Sequence, residues 1–120
     1  MSEKKILVIE DNPFNREIAE TALKSAGYDV VTASDGEEGL SKLQADISLI
    51  LLDLSLPKLS GWDVIKKIRE DNNYINLPVI ALTAHAMVGD RERAIEKGCS
   101  SYLPKPCLPK EIIKEIKKFI

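Results

Sequence analysis

The chain has 120 residues, of which 44% are hydrophobic and 30% charged, and its formal net charge at pH 7 is −2. That length fits one domain with its own core, and the slight negative charge argues against a general electrostatic grip on nucleic acid or anionic lipid. The first apolar run is too short for a signal peptide, and no later run is long enough to span a membrane. We therefore expect a cytoplasmic protein without membrane insertion.

The sequence contains two cysteines, Cys99 and Cys107. Two are too few for a disulfide scaffold, and neither has the CxxC spacing or the neighbouring histidine of a zinc site. We expect both to be reduced and structural.

The first half of the chain alternates between strand and helix signals. The β-branched run 5–10 predicts a strand, and apolar residues at helical spacing follow it. Asn12 suits the N-cap of that helix, Pro13 its first position and Gly27 its end. Residues 28–33 predict the second strand.

The second helix is marked by Leu40 and Leu43, with Ser34 or Asp35 as its cap, and the apolar run 48–53 predicts the third strand. Such a continuous apolar run is typical of a central strand in a parallel sheet.

The second half repeats the pattern. Val64, Ile65 and Ile68 mark the third helix, 77–83 the fourth strand, and 86–97 a fourth helix. That fourth helix is only weakly amphipathic, so we expect it to be the least firmly docked.

Gly98 ends the fourth helix, and 100–103 predicts a short fifth strand. Pro104 suits the edge of a sheet, where a missing backbone donor does little harm. Isoleucines at helical spacing mark the last helix: Ile112, Ile113, Ile116 and Ile120.

Strands that alternate with helices predict a parallel sheet covered on both faces. The sequence contains no linker, internal repeat or low-complexity segment. We therefore predict a single doubly wound α/β domain, (βα)5, over residues 1–120.

Polar residues follow the predicted strands at their carboxyl ends, where open α/β sheets bind ligands. They are Glu10, Asp11, Asp53, Thr83 and Lys105. Each has a structural alternative, as a cap, a strand residue or a surface charge. Their convergence on one edge favours a functional site.

Two carboxylates about 5 Å apart repel by roughly 3 kcal/mol at an effective dielectric constant near 20. One lysine cannot compensate three such groups, whereas a hard divalent cation such as Mg²⁺ can. A carboxylate, a metal, an ammonium and a hydroxyl together suit phosphoryl transfer. Asp53 is the best candidate nucleophile because it ends the central strand.

Four motifs in order resemble the receiver domain of two-component response regulators: VIEDN (8–12), DLSLPKLSG (53–61), LTA (82–84) and YLPKP (102–106). The resemblance covers essentially the whole chain. It implies a flavodoxin-like strand order, 2-1-3-4-5.

The resemblance also implies roles for individual residues. Asp53 would accept a phosphoryl group from a phosphohistidine partner. Asp11 and Asp53 would bind Mg²⁺ through their side chains, Ser55 through its backbone carbonyl and Glu10 through water.

The remaining roles concern the switch. Lys105 would contact the phosphoryl oxygens, and its bond to Pro106 would be cis. Thr83 would turn toward the phosphate and Tyr102 would rotate inward behind it. The fourth helix, fifth strand and last helix would then form the surface that changes.

Within the family, the chain resembles stand-alone, chemotaxis-regulator-like or phosphorelay receivers. We expect no output domain, and no enzymatic activity beyond its own phosphorylation and slow autodephosphorylation. Expected partners are a histidine kinase or histidine phosphotransfer protein and a downstream protein target, without direct nucleic-acid binding. We expect a monomer, with phosphorylation-linked dimerisation left open.

Three alternatives differ in what they require. A flavodoxin-like cofactor site needs free backbone donors after the first strand, where Glu10 and Asp11 would repel a phosphate. A haloacid-dehalogenase-type phosphatase places its nucleophile after the first strand with a second acid two residues on, whereas Asp53 follows the third strand and precedes Ser55. A degenerate receiver would lack part of the five-residue set.

Overall fold

The computed structural model describes residues 4–56, 59–84, 89–105 and 107–120. Five parallel strands form one sheet in the order β2-β1-β3-β4-β5. This confirms the predicted doubly wound α/β fold and its strand order.

The strands are β1 (Lys5–Ile9), β2 (Asp29–Ala33), β3 (Ile47–Asp53), β4 (Val79–Thr83) and β5 (Ser101–Pro104). β1, β3 and β4 are almost wholly buried, as their continuous apolar runs predict. β2 and β5 form the two edges, and the edge position of β5 accommodates Pro104.

The helices are α1 (Pro13–Ser25), α2 (Gly36–Ser41), α3 (Gly61–Glu70), α4 (Asp90–Glu96) and α5 (Pro109–Ile116), with a 3-10 turn at Asn72–Tyr74. Among the described residues, none of these helices is long and apolar enough to cross a membrane.

The core has two layers, one on each face of the sheet. Alternate residues of the central strands point to opposite faces, so that Leu7 and Ile50 join one layer while Ile6 and Leu51 join the other. The first layer packs against α2, α3 and α4, and the second against α1 and α5. Both faces of the sheet are therefore covered.

Local signals at the helix ends act as predicted. The Asn12 side chain accepts a hydrogen bond from the Asn15 N–H at 3.0 Å, and Asp35 caps α2 by accepting from the Glu38 N–H at 2.8 Å. Gly27 follows α1 with a φ of 96°, which favours glycine.

Several element boundaries differ from the sequence prediction. Among the described residues α4 begins at Asp90, after Gly89, rather than at Ala86; residues 85–88 lie outside the described part of the chain. Leu43 and Ile120 lie beyond the ends of α2 and α5. Both still pack against the core, because an apolar side chain can continue a helical pattern from a following turn.

Gly61 brings the start of α3 against the end of β3. A Cβ atom at this position would lie 2.4 Å from the Leu54 Cα and 2.6 Å from the Asp53 carbonyl oxygen. The Gly61 N–H also donates to the Leu54 carbonyl at 3.2 Å. This close approach fixes α3 directly against the backbone at Asp53.

The side chain of Glu38 makes several charged contacts at the amino-terminal end of α2. Its carboxylate accepts hydrogen bonds from the backbone N–H and the hydroxyl of Ser34 and forms an ion pair with Lys42. These contacts, the Ser34 N–H foremost, lower the pKa of Glu38 from 4.5 to about 2. A carboxyl whose pKa falls on folding stabilises the protein above its unfolded pKa, and this contribution is lost as pH falls from about 4.5 to 2.

We expect Glu38→Gln to lower the free energy of unfolding by about 0.5–1 kcal/mol at pH 7, the range of a solvent-screened charged contact. The difference from the parent protein should shrink as pH falls below 4.5. Urea unfolding at pH 7, 4 and 3 measures it. Glu37→Gln, at the exposed neighbouring position, is the control. A difference that stays constant with pH would contradict the assignment.

Candidate functional site

The register of the central strands brings two acidic side chains together. Ile9 pairs with Leu52 in the β1–β3 ladder. Glu10 and Asp53, the next residues, therefore lie side by side at the carboxyl ends of these strands. Both are buried, with 5% and 3% of their surface exposed.

The other ladders bring further residues to the same edge. Thr83, the buried last residue of β4, pairs with Pro104 of β5. Lys105 follows immediately, and its backbone N–H donates to the Thr83 carbonyl at 2.7 Å. Parallel strands thus deliver residues distant in sequence to one place.

Three carboxylates converge at this edge. Glu10, Asp11 and Asp53 each offer an oxygen atom, and these atoms lie within 4.8 Å of one another. Asp11 is exposed, so the cluster is open to solvent on one side. At that separation each pair of charges repels by about 3 kcal/mol at an effective dielectric constant near 20.

Lys105 bridges the two buried carboxylates. Its Nζ atom lies 2.6 Å from Glu10 Oε1 and 3.1 Å from Asp53 Oδ2. Burial by itself lowers the pKa of Lys105, but its contacts with Glu10 and Asp53 together raise it above the ordinary value. The ammonium therefore keeps its charge.

Glu10 responds to the same surroundings. Burial raises its pKa to about 7; the Lys105 ammonium opposes that rise and Asp53 adds to it. The Asn12 N–H also donates to Glu10 Oε2, at 3.1 Å. The structure thus concentrates more negative charge here than one lysine neutralises.

The two oxygens of Asp53 have different partners. The backbone N–H of Ser55 donates to Oδ1 at 2.9 Å, whereas Oδ2 faces Lys105. The carboxylate is therefore held in one orientation. The predicted role of the Ser55 carbonyl in metal binding stays a prediction.

Tyr102 lies half-buried on β5. Its hydroxyl is buried and has no hydrogen-bond partner among the described residues. Burial, and secondarily the charge of Asp90, raises the pKa of Tyr102. A buried hydroxyl without a hydrogen-bond partner is energetically costly. The Tyr102 hydroxyl therefore does not stabilise the observed position of the ring.

Arg16 is a residue at this site that sequence reasoning missed. Its guanidinium Nη1 donates to the backbone carbonyls of Glu10, at 3.0 Å, and Asp11, at 3.4 Å. It thereby braces the loop that carries two of the carboxylates. An arginine in the first turn of a helix is too common for the sequence alone to assign it this role.

The predicted cis bond between Lys105 and Pro106 lies outside the described residues, and so do Pro57 and Lys58 of the motif at 53–61.

The donor set fits a magnesium ion. Three carboxylates and one ammonium leave an excess of negative charge, and every side-chain donor in the cluster is oxygen. Mg²⁺ takes one or two carboxylates and completes its shell with water and phosphate oxygens, for which the exposed side at Asp11 leaves access.

Comparison with known proteins agrees with this geometry. Residues 6–117 match the model of the response regulator receiver domain. The chain is 35% identical over 118 residues to the polar-differentiation response regulator DivK of Brucella anthropi, covering 98% of this chain and 96% of DivK.

Another relative is longer. The chain is 41% identical over 121 residues to the probable transcriptional regulator ycf27 of Porphyridium aerugineum. This match covers 100% of the chain but 49% of that protein, so the chain spans about half the length of the ycf27 relatives it matches.

A solved structure with the same fold contains a metal ion. The receiver domain of the sensor histidine kinase PA1611 from Pseudomonas aeruginosa superposes with a TM-score of 0.87 at 36% identity, covering 98% of both chains. That structure holds a magnesium ion in its active-site cleft. Sequence, fold and site thus agree: this chain belongs to the response regulator receiver domain family of two-component signalling proteins, whose general function is phosphorylation-switched signalling.

Proposed function

We propose that this chain is switched by transfer of a phosphoryl group from a histidine kinase or histidine phosphotransfer protein to Asp53, with Mg²⁺ bound beside it. The observation that carries the proposal is the placement of Asp53. Its carboxylate is buried at the end of β3, held by the Ser55 N–H and Lys105, and flanked by two further acids.

The reaction replaces one bond to phosphorus by another. An Asp53 oxygen attacks the phosphorus of the phosphohistidine, a P–O bond forms, and the P–N bond breaks with the electron pair leaving on the imidazole nitrogen. Oδ2 faces the ammonium of Lys105, so a phosphoryl group formed on it lies beside a positive charge.

Asp11 and Asp53 would hold Mg²⁺ directly, with the Ser55 carbonyl as a further ligand and Glu10 acting through water. When bound, the ion supplies positive charge to the phosphoryl oxygens during transfer. The cluster's excess negative charge, which costs stability by itself, favours binding of a cation, and its carboxylate oxygens suit a hard one.

The switch would begin at Lys105 and Thr83. A phosphoryl group adds negative charge and acceptor oxygens at Asp53. Lys105 then exchanges its contact with the Asp53 carboxylate for one with the phosphoryl group. The Thr83 hydroxyl turns toward the phosphate, and Tyr102 moves into the space that Thr83 leaves.

The Tyr102 hydroxyl supports this last step, because it is buried without a hydrogen-bond partner among the described residues and so gains little from its present position. The surface of α4, β5 and α5 would then change, and a downstream protein would bind the changed surface. The receiver would act as a monomer or as a phosphorylation-linked dimer. We propose that residues 1–120 act as one receiver unit, with slow autodephosphorylation resetting it.

The phosphodonor would dock beside α1. Phe14 and Ile18 on this helix are 70% and 41% exposed. A mainly apolar cavity of about 570 Å³ lies between α1 and α5 and reaches Glu10 and Lys105 at the site. A partner seated there could present a phosphohistidine to Asp53, with the exposed residues of α1 between Asn15 and Leu23 determining its identity; Leu23 itself is buried in the core.

The first prediction from this proposal tests the phosphoacceptor. Incubation with acetyl phosphate and Mg²⁺ should add one hydroxylamine-labile phosphoryl group, observed by intact mass spectrometry, and Asp53→Asn should abolish it. Glu70→Gln, at an exposed position on α3, is the matched control and should label like the parent. Labelling that persists in Asp53→Asn would place the acceptor elsewhere, and turnover of many phosphoesters would favour a phosphatase.

The second prediction concerns the metal. Asp11→Ala should raise the dissociation constant for Mg²⁺ at least tenfold, a change of about 1.4 kcal/mol, because it removes a carboxylate ligand. Isothermal titration calorimetry measures the change. Glu17→Ala removes an exposed acid of α1 and should leave the affinity unaltered. Equal affinities for Asp11→Ala and the parent would remove Asp11 from the site.

The third prediction concerns Arg16. Arg16→Lys keeps the charge but loses the Nη1 amino group that donates to both carbonyls, so it should loosen the loop and weaken Mg²⁺ binding two- to fivefold. Because the charge at position 16 is unchanged, weaker Mg²⁺ binding in this variant would result from a displaced loop and not from a lost charge. Arg16→Met, which also removes charge, separates the two effects. Wild-type affinity in Arg16→Lys would show that the brace is unnecessary.

A further inference from the structure

Helix α4 is lightly attached to the rest of the protein. Ala94 is its one buried residue, and Ile95 is 44% exposed. Its N-cap is Gly89, with a φ of 90° and no side-chain capping bond. Its position therefore depends on a few contacts with neighbouring elements.

One of these contacts fixes the carboxyl end of α4. Arg69 of α3 donates from Nε to the Gly98 carbonyl at 2.8 Å and from Nη1 to the Tyr74 carbonyl at 2.7 Å. A Cβ atom on Gly98 would lie 2.7 Å from Arg69 Cγ, so the arginine stem rests on the backbone here. Ser100 then joins β4 through its N–H and the Val79 carbonyl.

A second contact lies along the helix. The guanidinium carbon of Arg93 sits 4.6 Å from the centroid of the Trp62 ring, within cation–π range. Trp62 belongs to the first turn of α3 and packs against the core, whereas Arg93 is exposed. The ring is thus the fixed partner and the guanidinium the movable one.

Trp62 is also tied to the phosphorylation site. It follows Gly61, whose backbone lies against Leu54 and the Asp53 carbonyl. The backbone at Asp53 and Leu54 therefore contacts the residue next to Trp62 directly.

We propose that Trp62 and Arg93 form a latch that holds α4 against α3 in the unphosphorylated protein. Phosphorylation of Asp53 shifts the start of α3, weakens the latch, and lets α4 turn about its Arg69 anchor at Gly98. The release step rests on the proposed function. The latch itself is a property of the unphosphorylated fold.

The latch is tested by amide hydrogen exchange without any phosphoryl donor. Arg93→Ala should raise the exchange rates of the α4 amides two- to fivefold, while α5 stays unchanged. Alanine has the higher helix propensity, so faster exchange in this variant reports the lost contact. Trp62→Leu, which keeps an apolar side chain, should do the same, and the double variant should add nothing further. Unchanged α4 exchange, or additive effects, would overturn the latch.

The release step is tested with beryllium fluoride and Mg²⁺ as the phosphoryl analogue, by calorimetry. Removing the latch favours the released form, so Arg93→Ala and Trp62→Leu should bind the analogue two- to fivefold more tightly than the parent. Lys97→Ala removes a positive charge from the exposed C-cap position next to α4 and should bind it like the parent.

The outcomes separate the two ideas. Analogue binding that is absent in the parent overturns the proposed function, and with it release by phosphorylation. Binding in the parent that is lost in Asp53→Asn but unchanged in Arg93→Ala overturns the coupling alone. If Lys97→Ala binds the analogue as much more tightly as Arg93→Ala does, the effect results from lost positive charge. That result overturns the role of the Trp62–Arg93 contact.

Discussion

Electrostatic repulsion among three carboxylates governs the functional edge of this protein. Glu10, Asp11 and Asp53 place ligand oxygens within 4.8 Å of one another, and Lys105 supplies a single ammonium between two of them. An apolar core would not hold such a group together without compensation. The register of β1 and β3 imposes part of this arrangement, because the pairing of Ile9 with Leu52 places Glu10 beside Asp53. The fold thus maintains a site that is costly when empty of cations and favourable when one binds.

The same architecture divides the molecule into fixed and movable parts. β1, β3 and β4 are buried on both faces, and Gly61 locks α3 onto the end of β3. On the other side, α4 buries Ala94 alone and lacks a capping side chain, while Tyr102 leaves its hydroxyl without a partner among the described residues. Under the proposed function, a charge change at Asp53 would act on a rigid centre and reach a loosely held surface.

The sequence predicted the fold well because its strongest signals are local. Continuous apolar runs identified the central strands, and Asn12, Asp35 and Gly27 marked helix ends as the structure has them. Boundaries were predicted less well. The helical pattern at 86–97 gave no sign that Gly89 would precede the first described turn of α4, since a glycine at an N-cap resembles one inside a helix. Ile120 and Leu43 showed that packing against the core continues beyond a helix end.

The sequence by itself determined the order of strands and helices and the residue types at the strand ends, because both follow from hydrophobic period and local capping. It also determined that Glu10, Asp53 and Lys105 share one edge, since parallel strands place their carboxyl ends together. Only the tertiary structure decided which atoms meet: Lys105 with two carboxylates, Arg16 with the loop carbonyls, and Arg93 with Trp62. The physical reason is distance. A side-chain contact depends on rotamers and on the packing angle between helices, and neither produces a periodic pattern in the sequence.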